Sequence, residues 1–578
     1  MTDYIHLRIR ARATILQAGL RAARYETGGI LVGFRDGPNI IVTRAIEVPS
    51  PNATSHSYSS DHTVAQLELE RDRANHPADL LSGYVGEWHT HPAPVGPSWI
   101  DRVSMGRIAW RAEAPIALVV CNADSATFWG MLPKRRIRPP RQHVPVTSLL
   151  DSIIQQLGPL PKTAVNANGP VFLSYRQSDG KARVRSLELL LRASGLVIWR
   201  DQSDLRAGTT DDRLESALTD GLSAAVLIVT PDLELSEVVR TREAPRLIQI
   251  DEHPDFSLAI ANEIARAGTT KVDYGAPDRL LGYLDEEVFR GKKQSNSRAL
   301  EGRLQIVRDL LLHRMEVRRS SISDRNATLD LFVQTRPAAS AMDADLGADL
   351  HIRTPSPPGA TKIPTRAALN ALRQTLPLAS DAAFAAGARN IAVRGGAHLS
   401  IAITIGAAFP ETKFPTMTVA GRENEQWSSD RTGPVTSLNV TNLDLEERRV
   451  IGAPVAVLVT ISPRPDLTAF TTLVRGGDYS AAFHIGLAQE GDLSPDVAGS
   501  LAAQITDAIK DSARSEGTTS VHLAFQGPFP IAVLLGRLLN TLRTTTMEWD
   551  DSVAVATYRP TVTLLLGTGA SPIVEVHV

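Results

Sequence analysis

Cysteine is nearly absent from this chain of 578 residues: Cys121 stands alone, in the apolar run PIALVVC. A single thiol excludes an intrachain disulfide, fits a reducing cytoplasm, and in that setting reads as a small packed hydrophobe. An excess of either charge is missing too, the formal net charge being −2. No global field therefore draws the chain to long nucleic acid or to anionic lipid, and a nucleotide partner must be small and held in a specific pocket. No apolar run reaches about 18 residues and no apolar signal core precedes the first charges, so neither a membrane span nor a secretory leader is expected. The expectation is a cytoplasmic protein. Hydrophobic residues at 43% and charged residues at 21% are ordinary for a globular chain, and the length suggests about three or four domains of about 150 residues.

Residues 1–137 carry the first chemistry. Gly86-Glu-Trp-His89-Thr-His91-Pro is followed by Ser98-Trp-Ile-Asp101, and Glu26-Thr-Gly-Gly-Ile-Leu-Val-Gly33 lies about sixty residues earlier. Side chains alternate along a strand, so His89 and His91 share a face and two imidazoles can meet one ion. Asp101, after the turn PAPVGP, can open a helix that returns a carboxylate to the same point. Two histidines, an aspartate and a water make the four-coordinate arrangement of a catalytic zinc. Glu26 is the candidate base for that water and Ser98 the candidate oxyanion donor. Glu87 shares the histidine face and fits a supporting role beside the ligands. Glu, HxH, Ser and Asp in this order resemble the metal-dependent JAB/MPN isopeptidases, of α+β fold. The resemblance implies Glu26 as base, His89, His91 and Asp101 as Zn2+ ligands, and Ser98 as stabiliser. Nine residues separate His91 from Asp101, one fewer than the family's commonest form.

Residues 138–169 read as a linker that continues the basic, proline-bearing stretch Lys134–Arg141 and includes one apolar helix, SLLDSIIQQL. Residues 170–285 then alternate short apolar strands (VFLSY, a strand ending Ile198-Trp199, AAVLIVT) with helical patterns, which predicts a doubly wound parallel sheet. In such a sheet ligands meet the carboxyl ends of the strands, which places the polar run Arg176–Gly180 where a nucleotide would be met, and the charged loop Asp201–Gly208 follows the second strand. FLSYR, the Trp199/Asp201 step and the acidic Glu243 resemble a Toll/interleukin-1 receptor (TIR) domain, flavodoxin-like in fold. The resemblance implies NAD+ as substrate, met by Tyr175, Arg176, Trp199 and Asp201, with Glu243 catalytic. A carboxylate can stabilise an oxocarbenium-like ribose while nicotinamide leaves neutral, so one glutamate suffices. Glu237 rivals Glu243, Val239 stands where the family often has tryptophan, and Pro245 predicts a short third helix.

Residues 290–578 begin with a basic helix, Arg298 to Arg319, with Leu and Ile inward and Arg outward, and then contain a duplication. IAVRGGAHLSIAITIG at 391–406 aligns without gaps on VHLAFQGPFPIAVLLG at 521–536, and LFVQTRP at 331–337 on VTISPRP at 459–465. The offsets are 130 and 128, giving halves at about 320–450 and 451–578. With the closing words Met547-Glu-Trp-Asp550 and Tyr558-Arg-Pro560, this resembles the SAVED domain, a fused pair of CARF-like Rossmann folds from bacterial anti-phage systems of the CBASS type. The resemblance implies a sensor for a cyclic oligonucleotide of the oligoadenylate kind. Gly395, Gly396, His398, Gln526 and Gly527 lie where phosphate can approach backbone, Arg336 and Arg464 supply charge, and Trp427 offers a stacking face.

The expected whole is a multidomain α/β chain in which ligand-induced homo-oligomers or filaments switch on NAD+ cleavage. An appended isopeptidase would act on a ubiquitin-like protein or a conjugated nucleotidyltransferase. Two alternatives stand beside it: a metallo-isopeptidase regulated by the other regions, and a non-enzymatic signalling scaffold.

Overall fold

The computed structural model describes residues 4–36, 39–76, 82–112, 114–125, 127–132, 146–147, 149–199, 210–283, 288–336, 347–354, 363–433, 437–443, 449–461, 467–488, 493–550, 553, 555–567 and 571–578. Two compact units emerge. The first holds Met1–Pro159, Pro231–Gln249 and Asp273–Lys292, and the second holds Leu160–Thr230, Ile250–Val272 and Lys293–Val578.

The sheet of the first unit uses β1 (Ile5–Leu7), β2 (Gly28–Asp36), β3 (Asn39–Glu47), β4 (Gly83–Thr90), β5 (Ala117–Asn122), β6 (Thr127–Met131) and β7 (Val146–Thr147), in the order β6-β5-β4-β2-β3-β1-β7. β4 lies inside the sheet, antiparallel to β2 and parallel to β5. At Gly86 a side chain would bring its Cβ within 2.0 Å of the Ala117 carbonyl oxygen, so only glycine permits this approach. One face packs Ile5, Leu7, Ile15, Leu31, Val85 and Trp88. Cys121 is fully buried there, and burial pushes its thiol up to about 12, as suits a packed hydrophobe.

In the second unit β8 (Val171–Ser174), β9 (Ile198–Trp199), β10 (Ala224–Val229), β11 (Ser257–Asn262) and β12 (Gln294–Asn296) form a sheet in the order β12-β11-β10-β8-β9. All pairings are parallel, and the order is one of the two common doubly wound ones. β8 and β10 are buried along their whole length, which is why their sequences read as continuous apolar runs rather than alternating ones.

β13 (Thr328–Gln334), β14 (Leu350–Arg353), β15 (Asn390–Gly396), β16 (Thr416–Ala420) and β17 (Gln426–Ser428) make a third sheet. The fourth contains β18 (Leu438–Leu443), β19 (Val455–Thr460), β20 (Ala481–Leu487), β21 (Ser520–Gln526), β22 (Arg543–Asp550), β23 (Thr557–Leu564) and β24 (Ile573–Val576). β14-β13-β15-β16-β17 is repeated as β20-β19-β21-β22-β23 with the same parallel and antiparallel senses. Helices Leu399–Ala408 and Phe529–Gly536 follow β15 and β21 and are buried on all sides.

Three expectations need correction. The repeat offset of 128 slips against the register: Gln334 pairs with Gly396 and Thr460 with Gln526, so Thr460 is the counterpart of Gln334 at an offset of 126. Arg-Pro recurs in sequence, but Arg336 and Arg464 are not counterparts. The expected boundaries at 170–285 and 290–578 do not separate compact units, because the parallel sheet shares one core with both duplicated halves. The helix expected to present all its arginines outward is Leu300–Asp324, and within it Arg314 is 3% exposed. Its guanidinium donates to the Gly169 carbonyl at 3.0 Å, to the Asp349 carbonyl at 2.8 Å and to Ser223 at 3.3 Å. Burial lowers the Arg314 pKa to about 10, where it is still charged at neutral pH. The side chain thus ties the parallel sheet to the first duplicated half.

Candidate functional site

β4 places His89 and His91 on one face, as alternation requires. The pairing of Gly28 with His89 across β2 then sets Glu26, two residues before Gly28, opposite His91. His89 Nε2 and His91 Nε2 lie 3.1 Å apart, and His91 Nε2 is 3.7 Å from Glu26 Oε1. Ligand atoms of Glu26, His89 and His91 all fall within 4.8 Å of one another, and all three side chains are buried. Asp101 Oδ2 joins them at 3.5 Å from His89 and 3.8 Å from His91.

Asp101 gets there through its helix, Trp99–Ala112. Ser98 Oγ accepts the Asp101 N–H at 3.2 Å while Asp101 Oδ2 accepts the Ser98 N–H at 2.6 Å. This reciprocal cap fixes both residues at the helix start. A tetrahedral zinc with ligands at about 2.0–2.1 Å needs donor atoms about 3.3 Å apart, so separations of 3.1, 3.5 and 3.8 Å suit such an ion. His91 Nδ1 is 2.9 Å from the Val95 carbonyl, which assigns the ring proton to Nδ1 and leaves Nε2 to bind.

The electrostatics agree with the donor set. Burial raises the Glu26 carboxyl above the usual range, against the opposing charge of His89. Burial pushes Asp101 up as well, but hydrogen bonding and charge from His89, together with the bonds from Ser98, outweigh it and hold that carboxyl well below the usual range. Burial lowers the His91 imidazole, favouring the neutral form that a metal requires. Burial also raises Glu87, whose carboxylate accepts from the Tyr84 hydroxyl at 3.3 Å.

Of the expected NAD+ residues, Tyr175, Arg176, Trp199 and Glu243 are among the described ones. Tyr175 is buried in the core and its hydroxyl has no hydrogen-bond partner among the described residues. Arg176 caps the helix Gln177–Ser194 and donates to Ser178 at 2.7 Å, and Trp199 stacks on Phe172 at 5.2 Å. Asp201 and its loop lie outside the described residues. Glu243 is half-buried at the end of a π-helical turn, Val239–Glu243, and belongs to the first unit while Tyr175, Arg176 and Trp199 belong to the second. Glu237 is exposed. The third helix is not cut short at Pro245: it runs on through Ala244–Ile250. Proline clashes with the carbonyl four residues back in a regular helix, whereas here Ala244 N–H bonds five residues back to Val239.

In the duplicated region, Gly395 has φ of 108° and leaves no room for a side chain against the Val333 carbonyl. Gly396 closes β15 exposed, and Gly527 follows β21 against Phe525 and Ile461. His398 is buried, with Nδ1 2.9 Å from Thr335 Oγ1, and Gln526 donates to the Tyr558 hydroxyl at 2.6 Å. Trp427 corrects its expectation: it is 6% exposed, packed in the core and donating Nε1–H to Glu425, so its size serves packing rather than base stacking. Arg464 lies outside the described residues. Glu548 was missed. It is buried, accepts the Ser400 N–H at 2.9 Å in the first turn of helix Leu399–Ala408, and lies 3.5 Å from Arg336. Burial raises its carboxyl despite those contacts. One acidic residue within the otherwise uncharged TTTMEW was the available signal.

Comparison with known proteins agrees at both ends of the chain. Residues 9–131 match the model of prokaryotic homologs of the JAB domain, and residues 377–564 match that of the SMODS-associated and fused to various effectors sensor domain, SAVED. A probable metalloprotease of Sinorhizobium fredii, y4qB, is 35% identical over 105 residues, which is 17% of this chain and 63% of that protein. The chain thus spans less than two thirds of the relative. Among solved structures, the Cap4 SAVED/CARF-domain containing receptor of Acinetobacter baumannii with the cyclic trinucleotide 2'3'3'-cAAA has 12% identity and a TM-score of 0.34, covering 66% of this chain and 96% of its own. The Moraxella osloensis Cap4 receptor has 13% identity and a TM-score of 0.31 over the same shares. Likeness that low carries no argument about sites. The chain therefore has a JAB-type domain at its amino end and a SAVED sensor domain at its carboxyl end.

Proposed function

We propose that this protein is a zinc-dependent hydrolase of peptide or isopeptide bonds whose activity is governed by a cyclic oligonucleotide bound to its sensor domain. The observation that carries the reading is the convergence of Glu26, His89, His91 and Asp101 on one point. His89, His91 and Asp101 would hold the ion, which when bound supplies Lewis acidity and a nucleophile at neutral pH. Glu26, with its carboxyl raised by burial, takes the proton of the attacking water and returns it to the leaving amine. Ser98, held at the helix start, is positioned to donate to the oxyanion of the tetrahedral intermediate. The substrate in this reading is a ubiquitin-like protein or a nucleotidyltransferase conjugate, and the activator is of the oligoadenylate kind. The test is cleavage of an isopeptide-linked conjugate with and without cyclic di-, tri- and tetranucleotides. Cleavage that ignores every nucleotide removes the sensor from the account.

A second reading is NAD+ cleavage in the central parallel sheet, favoured by the doubly wound order β12-β11-β10-β8-β9. Glu243 is its proposed catalytic carboxylate. Nicotinamide release that is equal in wild type and Glu243→Ala, or absent with every nucleotide, discards it.

A further inference from the structure

The second duplicated half carries a strand outside the repeated frame. β18 lies beyond β20, antiparallel to it, and among the described residues no strand pairs with its outer side. In the first half the counterpart of β20 is β14, and its outer edge is met: the His351 N–H donates to the Gly195 carbonyl at 2.7 Å.

β18 reads LNVTNL, with no charge, proline or glycine, and its four central residues are exposed. Edge strands are ordinarily blunted by such residues, because their free backbone groups recruit further strands. The opposite edge follows that rule, since β24 carries Glu575, paired with Arg543 at 3.1 Å. The register fixes what β18 offers. The Ala488 N–H donates to the Ser437 carbonyl, so Asn439, Thr441 and Leu443 bond β20, while Leu438, Val440 and Asn442 turn their N–H and C=O outward. An extended chain meets donors and acceptors at that spacing.

A groove of ≈ 640 Å³ lies beside this edge, between β18 and the helix Ala498–Ser515. Leu438, Val440 and Phe483 form its sheet side, Asp507, Ala508 and Asp511 lie on its helix side, and no cation lines it. Asp511 already pairs with Arg514, and Lys510 donates to Asn540 at 2.7 Å. Asp507 is exposed and makes no ion pair among the described residues. The groove is therefore apolar along the strand, with one unmatched negative charge above it.

We propose that β18 receives an extended segment of a partner protein as an added strand, with β-branched apolar residues at alternate positions and one Lys or Arg among them. Side chains opposite Leu438, Val440 and Asn442 share their face and enter the groove. The apolar ones meet Leu438, Val440 and Ala508, and the cation meets Asp507. This surface depends on neither the hydrolase reading nor the NAD+ reading.

The experiment titrates the full chain into fluorescein-labelled peptides and follows anisotropy. The peptides are VTVTKT, its charge-reversed form VTVTET, and VTVTKT with a methyl on the amide nitrogen of its second valine. VTVTKT is expected to bind wild type with a Kd below about 1 mM, and each of the other two about fivefold more weakly. Asp507→Lys should reverse the preference between the Lys and Glu peptides, and Val440→Lys, which adds a charge to the edge, should weaken VTVTKT. Should either variant misfold, the three peptides on wild type still decide. No binding of VTVTKT, equal binding of the Glu or the methylated peptide, or an unchanged preference in folded Asp507→Lys overturns the proposal. Self-association of wild type that Val440→Lys abolishes assigns the edge to a second copy of this chain and overturns it as well.

Discussion

Gly406 and Gly536 are counterparts across the duplication, and each lets the other's helix approach: a Cβ on Gly406 would come within 1.9 Å of the Val533 carbonyl oxygen, and one on Gly536 within 1.9 Å of the Ile403 carbonyl oxygen. Val533 and Ile403 are themselves counterparts, so the crossing of helices Leu399–Ala408 and Phe529–Gly536 is symmetric. In an exposed helix, glycine to alanine stabilises by about 1 kcal/mol. Here the sign reverses. Gly406→Ala and Gly536→Ala are each expected to destabilise the sensor by about 1–3 kcal/mol in urea unfolding, through overpacking. Stabilisation by either would disprove the close crossing.

Arg314 supports a second prediction. Arg314→Met keeps much of the stem but takes the donor from the buried Asp349 carbonyl and leaves the Gly169 carbonyl to Ser223, and a loss of roughly 1–3 kcal/mol is expected. Limited proteolysis should then cut between the parallel sheet and residue 328 faster than in wild type. A variant as stable as wild type would show that the guanidinium contributes no net stability.

His351 gives the sensor an acid limit. It is 1% exposed with neither ring nitrogen hydrogen-bonded among the described residues, and burial, with Arg353, Arg192 and Arg314 adding to it, lowers its pKa from 6.5 to about 4. Because the folded value lies below the unfolded one, the unfolded state takes the proton first as the pH falls. The stability present above pH 6.5 is therefore lost progressively down to about pH 4, by roughly 3 kcal/mol. His351→Phe should flatten that slope in unfolding curves between those pH values. An unchanged slope would assign the acid lability elsewhere.

The cluster of Glu26, His89, His91 and Asp101 was more legible in the sequence than the rest. His89 and His91 needed only strand alternation, and Ser98 and Asp101 are spaced as a helix cap requires, so local rules located these four residues. Glu26 needed the register of β2 against β4, which spacing cannot give. The duplicated region was visible as two apolar frames, but a match of Arg-Pro words put Arg336 and Arg464 in register when the strands make Thr460 the counterpart of Gln334. Arg314 looked like any arginine on a basic helix, because burial of a charge depends on carbonyls brought from Gly169 and Asp349. Trp427 shows the reverse, a large aromatic whose position in the core no local pattern reveals. The rule for regular helices ends a helix near Pro245, and the π turn before it evades that rule.

Substitution distinguishes the proposed metal ligands from the proposed base. His89→Ala should lose bound zinc by elemental analysis, together with conjugate cleavage, since one imidazole of the converging set is gone. Retention of stoichiometric zinc would remove His89 from the ligand set.

The most direct measurement is made on Glu26→Gln in the presence of an activating cyclic oligonucleotide, comparing zinc content and single-turnover cleavage of an isopeptide-linked conjugate with wild type. The account predicts zinc retained at the wild-type level and cleavage slowed by about 10²–10⁴-fold, because the amide keeps the shape of the site but cannot take the proton. Cleavage at the wild-type rate by a zinc-loaded Glu26→Gln protein would contradict it.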